Sequence, residues 1–173
     1  GALTQEAIDV AVILNALRAL RPAWKPGHPS MQQSAARALQ QVHHALEASL
    51  DRLREIADAL DDAKPESAVA LIREASAIVT TKIVEHERDD EGRIYPRLAK
   101  YLHDSHGLAA MSRAHREILH LARLLSRLSD ELKVEDTDRY LIRDAQRMIE
   151  SLESLVRIHN AQEEDIYEHA AAG

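Results

Sequence analysis

Four long segments of the chain carry apolar residues at alternating steps of three and four, which is the spacing of one face of an α-helix. They cover the ranges of about 31–60, 66–90, 108–132 and 137–170. Polar breaks separate them, and the break after the second segment is expected at Gly92 and Pro96. The pattern predicts an all-α protein built as an antiparallel up-down four-helix bundle.

The composition agrees with a helical domain and limits its chemistry. The 173 residues include only five Gly and five Pro, no Phe and no Cys, and the length suits one domain. Without Cys there is no disulfide, thiolate nucleophile or sulfur ligand, so any metal must be held by His and carboxylate groups. A net charge of −7 without a basic block argues against a nucleic-acid partner.

The beginning of the chain differs in character from the rest. The apolar run at 7–20 has 14 residues, fewer than the roughly 20 that cross a bilayer, so it is either the end of a longer span or an amphipathic surface helix. Basic residues at its end resemble the cytoplasmic flank of a membrane helix. We therefore expect an extra N-terminal helix, transmembrane or juxtamembrane, at 1–20, a Pro-rich linker at 21–30 and the bundle at 31–173.

Each predicted helix of the bundle places one histidine on its apolar face. These are His43, His86, His115 and His159. A lone core histidine is usually satisfied by one hydrogen bond. Four of them, two with an acid at i+4 (Asp90 and Glu163), leave costly buried polar groups unless a cation gathers them. The alternative is a metal-free bundle with buried His–acid pairs.

The type and repetition of these residues favour two ions rather than one. Imidazole and carboxylate suit iron, manganese or zinc, and carboxylates that can bridge suit a pair of ions. The histidines of the first two helices are 43 residues apart, and those of the last two are 44 apart. The chain thus consists of two similar helix pairs, which bring two half-sites together. No Ser or Cys nucleophile accompanies the histidines.

The neighbours of the candidate ligands leave several choices open. His44 directly follows His43, Glu91 follows Asp90, and Glu164 follows Glu163. Because adjacent residues on a helix point about 100° apart, only one member of each pair is expected to face the core. Tyr95 and Tyr167 follow the acids of the second and fourth helices, where they are placed to hydrogen-bond groups near the site.

The histidines and their neighbours resemble the hemerythrin-like, or HHE cation-binding, domains over about 31–170. The likeness is carried by the lone His43, by HERDDEGRIYP from His86, by AHREIL around His115 and by HNAQEEDIY from His159. It implies a non-haem di-iron centre, with an oxo or hydroxo bridge, that binds O2 or senses oxygen, redox state or iron. It also implies that the four histidines are terminal ligands, and that Asp90 and Glu163 are bridging carboxylates.

One departure from the oxygen-carrying members affects the expected chemistry. Those members have a further histidine four residues after the one on the third helix, where this chain has Leu119, and His120 points roughly 100° away. The resemblance implies that Glu87, next to His86, supplies the missing ligand, as in the HHE branch of the family where that acid recurs. An additional anionic ligand favours the ferric state and lowers the reduction potential, which favours sensing or redox chemistry over simple oxygen carriage.

A second resemblance concerns residues 1–20 alone. The stretch GALTQEAIDVAVILNALRAL is similar to the end of the last membrane helix in heavy-metal-transporting P-type ATPases. It implies a cytoplasmic domain tethered behind the last membrane helix of a metal pump, on the inner side of the plasma membrane. The expected partners are O2 or a redox-active small molecule and the cytoplasmic domains of that pump.

Three functions follow from these residues. The leading hypothesis is a regulatory di-iron domain that responds to O2, redox state or iron supply and is not an enzyme by itself, in a parent chain that transports metal with ATP. The second is a di-iron oxidase, peroxidase or nitric-oxide-processing enzyme built on the same ligands. The third is a metal-free helical interaction module.

Overall fold

The computed structural model describes residues 30–102 and 106–172, and all regular elements in these ranges are helical. Four long helices follow one another along the chain. Helix α1 covers Gln33–Ala59, α2 covers 65–98, α3 covers His106–Glu131 and α4 covers Arg139–Ala172. A short 3₁₀ turn at Val134–Asp136 lies between α3 and α4. The prediction of an all-helical domain with four long helices is confirmed.

Helix α2 changes its winding twice. Segments of α-helix alternate with two π-helical turns, in the order Pro65–Ile78 (α), Val79–Ile83 (π), Val84–Asp89 (α), Asp90–Ile94 (π) and Tyr95–Leu98 (α). Such turns inside α-helices are rare and often lie at functional sites. Here the second one begins at Asp90, one of the candidate ligands.

The expected helix end at Gly92 and Pro96 was wrong, because α2 continues to Leu98. The π turn ends just before the last α-helical segment, and Pro96 lies in the first turn of that segment. The fixed φ of proline, about −65°, suits a helical backbone, so the helix continues through it although one N–H donor is lost. Gly92 adopts a helical conformation within the π turn. The extension carries Tyr95 into the bundle.

Helices α1 and α4 run in opposite directions side by side. The backbone N–H of Met31, just before α1, donates to the carbonyl of Ala170 at 2.7 Å. At the other end of the pair, Gln146 of α4 donates to the carbonyl of Ala57 at 3.0 Å. Residue numbers therefore fall along α4 as they rise along α1.

The buried apolar residues form two separate clusters. The larger one, around Leu53, Ile72 and Ile149, fills the end of the bundle where α1 meets α2. The smaller one contains Met111 and Tyr167 and lies at the opposite end. The candidate ligands come from positions between these clusters along each helix. They are thus enclosed by apolar layers that limit the access of water.

The alternating steps predict that the core face of α4 runs through Leu141, Met148, Leu155 and Ile166, and this prediction was only partly right. All four residues are half-buried and the next residue is buried instead, at Leu141/Ile142, Met148/Ile149, Leu155/Val156 and Ile166/Tyr167. Both members of each pair are apolar or aromatic, so steps of three and steps of four fit the sequence equally well. Packing against the neighbouring helices selects the second member.

The predicted N-terminal helix at 1–20 lies outside the described residues, as does most of the linker at 21–30. These two predictions stay untested. Among the residues that are described, none of the helices combines the length and the hydropathy that a membrane span needs.

Candidate metal centre

The seven candidate ligands meet in the interior of the bundle, and each is no more than 9% exposed. They form two groups in which the ligand atoms lie within 4.8 Å of one another. The first ligand group contains His43, His86, Asp90 and Glu163. The second ligand group contains Glu87, His115 and His159. All four helices contribute, which agrees with the one-histidine-per-helix pattern of the sequence.

Helix α2 supplies ligands to both groups. His86 and Asp90 are one helical turn apart, and their Nε2 and Oδ2 atoms are 3.2 Å apart in the first group. Glu87 is the neighbour of His86 and therefore points to another side of the helix. It is fully buried, and its Oε2 lies 2.8 Å from Nε2 of His115 in the second group.

The remaining contacts within each group are equally short. His43 approaches Glu163 at 3.1 Å, and the rings of His43 and His86 lie 5.1 Å apart, edge to face. In the second group, Nε2 of His159 lies 3.4 Å from Oε2 of Glu87, the same oxygen that faces His115. Two imidazoles and two carboxylates thus converge in the first group, and two imidazoles and one carboxylate converge in the second.

Glu163 joins the two groups. Its Oε2 lies 3.1 Å from Nε2 of His43 in the first group. Its Oε1 lies 3.4 Å from Nε2 of His159 and 3.8 Å from Nε2 of His115 in the second group. A carboxylate with one oxygen toward each group has the arrangement that is needed to bridge two ions.

Two outer carboxylates, Glu91 and Glu164, lie on the solvent side of the site. Oε2 of Glu91 is 3.0 Å from Nδ1 of His115, and Oε1 of Glu164 is 3.3 Å from Nδ1 of His43. Their side chains are 52% and 41% exposed, respectively. From the sequence, both were alternatives to Asp90 and Glu163 for the ligand positions. The structure instead places each beside the outer nitrogen of a histidine.

Two histidines that the sequence left as alternatives point away from the site. The side chain of His44 is 81% exposed and pairs with Glu47 at 3.0 Å. His120 is also exposed, one residue after the half-buried Leu119. Neither belongs to the ligand groups, whereas Glu87 does.

The residues fit a bound cation, because many of their polar atoms have no hydrogen-bond partner among the described residues. These atoms are His86 Nε2, both oxygens of Glu87, Asp90 Oδ2, both ring nitrogens of His159 and Glu163 Oε2. Several of these atoms lie within 3.5 Å of one another but do not have hydrogen-bond geometry. Metal ligands that point at a common position have this arrangement. Burying such groups unpaired costs about 1–3 kcal/mol each. Cations in the two groups would satisfy them.

The site also concentrates negative charge. Burial, together with the charge of Glu163, raises the pKa of Asp90 to about 7. Burial alone would raise the pKa of Glu163, but the imidazoles of His159 and His43 lower it well below its ordinary value. Asp90 and Glu163 compete for the same nearby imidazoles, and their pKa values differ widely as a result. Bound cations would give both carboxylates a positive partner and so relieve that competition.

Two tyrosines flank the centre, each stacked on a histidine. Tyr95 lies parallel to His115, with the ring centroids 4.9 Å apart, and its hydroxyl donates to Oε1 of Glu163. Tyr167 stacks on His43 at 5.6 Å. The hydroxyl of Tyr167 is buried and has no partner among the described residues. The expected hydrogen bond near the site is therefore present for Tyr95.

Comparison with protein families gives one match. The model of the hemerythrin HHE cation-binding domain matches residues 34–171, which is most of the chain and includes all seven candidate ligands. Comparisons with curated proteins and with solved structures gave no match.

Proposed function

The chain belongs to the hemerythrin HHE cation-binding family, and from this premise we propose that its buried site holds two non-haem iron ions with an oxo or hydroxo bridge. The domain then acts as a regulatory module that responds to O2, redox state or iron supply. The arrangement of Glu163, with one oxygen toward each ligand group, is the observation that carries the proposal.

The proposed ligand assignment follows the two groups. His43, His86 and Asp90 hold one ion, while Glu87, His115 and His159 hold the other, and Glu163 spans both. Bound iron supplies a one-electron redox couple and a coordination position for a small molecule. The protein contributes fixed imidazole orientations, a buried carboxylate bridge and two apolar layers that keep water out.

We place sensing ahead of oxygen carriage because of Glu87. It is fully buried and anionic, in a group where oxygen-carrying relatives use a neutral histidine. Negative charge next to the ions stabilises the ferric state. A centre that is readily oxidised is better suited to detecting O2 or redox state than to releasing bound O2 unchanged. Because all four helices contribute ligands, a change at the centre is transmitted directly to the bundle.

Residues 1–20 support a further part of the proposal. Their similarity to the end of the last membrane helix of metal-transporting P-type ATPases makes the bundle a cytoplasmic domain of such a pump, at the inner side of the plasma membrane. The cytoplasmic domains of the pump are then its partners, and 21–30 is the tether. A reading frame that encodes no pump upstream of Gly1 would refute this part without affecting the metal site.

Iron analysis tests the central proposal. Protein expressed with ample iron should contain about two Fe per chain and show near-ultraviolet oxo-to-iron absorption that changes on reduction and on return to O2. His120→Ala is a suitable control, since this exposed residue lies outside both ligand groups. An iron-free, colourless protein would overturn the proposal and would favour a metal-free helical module.

The second candidate is a di-iron oxidase, peroxidase or nitric-oxide-processing enzyme. It is favoured by Tyr95, whose hydroxyl donates a hydrogen bond to Glu163, the carboxylate that spans both groups. The phenol is therefore placed to exchange a proton or an electron with the centre. Turnover of peroxide or nitric oxide above that of free iron would select the enzyme. A centre that only cycles with O2 would select the sensor.

A further inference from the structure

The outer face of α3 carries a row of basic side chains. Its members are Arg113, Arg116, His120, Arg123 and Arg127, and all five are exposed. They follow one another at steps of three and four, so they lie on the side of the helix opposite the buried Ile118 and Leu125. A helix rises about 1.5 Å per residue, which makes this basic row about 21 Å long.

The basic row is positive although the chain as a whole is acidic. From 109 to 129 the charged side chains are four arginines and Glu117, a net charge of +3, whereas the whole chain carries −7. Two or three other residues separate successive members of the row, so the sequence contains no basic block. The row is assembled only when α3 forms.

The arginines of the basic row do not hold the bundle together. Arginines on α1 are paired with acids of other helices, as Arg52 is with Glu74 at 2.7 Å and Arg54 is with Glu153 at 2.6 Å. The ion pairs of the described residues include none of the four arginines of the row. Like charges on successive turns of a helix repel each other. The row therefore gains free energy when an anionic surface lies against it.

The shape of the basic row and one apolar neighbour favour a lipid surface over an acidic protein. The row lies along the convex outer side of one helix, so it fits a flat partner better than a narrow ligand. Leu124 lies on the same face, beside His120 and Arg127, and is 37% exposed. Guanidinium groups bind phosphate in a bidentate fashion, and an exposed leucine can enter the boundary between headgroups and acyl chains. An anionic leaflet offers both kinds of contact.

We propose that the basic row of α3 binds the anionic headgroups of a lipid bilayer, with the helix lying parallel to the membrane plane. Acids on other helices do not prevent this contact. Asp51 and Asp58, for example, lie on α1, which packs mainly against α4. Packed helices are roughly 8–10 Å apart and the Debye length at physiological salt is about 8 Å, so charges on the far side of the bundle are largely screened. The inference requires neither a bound metal nor residues 1–20.

Binding of the full 173-residue chain to lipid vesicles tests this inference. Sedimentation compares vesicles of phosphatidylcholine and phosphatidylglycerol with vesicles of phosphatidylcholine alone. An arginine close to an anionic leaflet contributes about 5-fold in affinity, so Arg123→Gln/Arg127→Gln should bind the anionic vesicles about 10- to 30-fold more weakly than the wild type. The matched control is Arg139→Gln/Arg143→Gln, which removes two exposed arginines, also four residues apart, from α4. The control should bind as the wild type does.

Salt dependence separates the basic row from the apolar residues 1–20. Those residues are the same in every variant, so any affinity of their own cancels in the comparison. Raising the salt concentration should release the wild-type chain more than Arg123→Gln/Arg127→Gln, because screening weakens the attraction of exposed charges. Circular dichroism should show equal helix content, since all the substituted side chains are exposed.

Two results would overturn the inference. One is an equal affinity of the two double variants for the anionic vesicles. The other is a wild-type chain that binds neutral vesicles as tightly as anionic ones. An acidic protein surface would then be the partner left for the basic row.

Discussion

His115 donates from Nδ1 to Glu91 at 3.0 Å on the outer side of the site, while its Nε2 lies 2.8 Å from the buried Glu87 on the inner side. A carboxylate can only accept a hydrogen bond, so Glu91 holds the Nδ1–H, and a cation bound on the inner side would take the lone pair of Nε2. The same arrangement recurs at His43, with Glu164 on the outer side. Each outer carboxylate directly follows an inner one along the chain. Each pair of acids therefore offers one candidate ligand and one carboxylate that holds the outer nitrogen of a histidine.

Glu91→Ala should weaken metal binding without unfolding the protein. The change removes the acceptor that orients His115, and outer partners of this kind typically contribute 10- to 100-fold in metal affinity. Glu85→Ala is the control, because it removes an exposed acid from the same helix away from the site. Competition with a chelator measures the affinity. Equal affinities in the two variants would show that Glu91 does not orient the ligand.

Glu163→Gln should lower the metal content from about two ions per chain to one or fewer. The amide keeps the shape of the side chain but removes the negative charge, and its nitrogen cannot serve as a bridging donor. Glu168→Gln removes a charge one turn farther along α4, where the side chain is exposed and hydrogen-bonds Gln40. Metal analysis that still finds two ions per chain in Glu163→Gln would refute the bridging role.

The stability of the ion-free protein should fall as the pH rises from about 5 to about 8. The pKa of Asp90 is raised to about 7 in the folded protein, so its protonated form stabilises the fold, and that contribution is lost as the pH passes 7. The raised pKa values of His43 and His115 act in the same direction, because nearby carboxylates outweigh the effect of burial. His86 opposes them, since burial lowers its pKa.

Thermal denaturation of ion-free and metal-loaded protein across this pH range checks the prediction. Metal binding displaces the protons, so the loaded protein should depend less on pH, and its metal affinity should rise with pH. Asp90→Asn cannot ionise and should flatten the profile of the ion-free protein. An ion-free wild-type protein that is more stable at pH 8 than at pH 5 would contradict the assignment.

The sequence was sufficient to predict the helices and most of the polar residues that meet inside the bundle, because both depend on spacing along one chain. His43, His115 and His159 lie on apolar faces that the pattern identifies directly. Glu87 came only from the family resemblance, since its position beside His86 places it off the predicted face. Helix α2 lies close to both groups, so that His86 and Asp90 reach the first and Glu87 reaches the second. This packing is not encoded in a single helical period.

Other features needed the packed structure. The sequence could not distinguish Ile166 from Tyr167 as the buried residue, because one is apolar, the other is aromatic, and they are adjacent on the helix. The π turn at Asp90–Ile94 was also unforeseen, since Gly92 and Pro96 are the residues that usually end a helix. That turn brings Tyr95 to Glu163, so the contact depends on a winding that no periodic pattern describes.

Glu153→Gln should lower the free energy of unfolding by about 1–3 kcal/mol, with or without metal. Glu153 is 2% exposed and accepts a hydrogen bond from Arg54 of α1 at 2.6 Å and another from Arg157. Loss of its charge weakens this link between α1 and α4. Urea denaturation checks the value, with the exposed Glu150→Gln as control. A smaller loss than in the control would show that the link contributes little.

Tyr95→Phe should lower the reduction potential of the metal centre while leaving about two ions bound. The phenylalanine ring retains the stacking on His115, but the hydroxyl that donates to Glu163 is lost. Without that hydrogen bond the carboxylate places more negative charge on the ions, which stabilises their oxidised form. Potentiometric titration measures the change, with Tyr140→Phe as the control because that side chain is 81% exposed. Equal potentials in the two variants would show that the Tyr95 hydroxyl does not act on the centre. A loss of metal from Tyr95→Phe would show instead that the hydroxyl is needed for the centre to assemble.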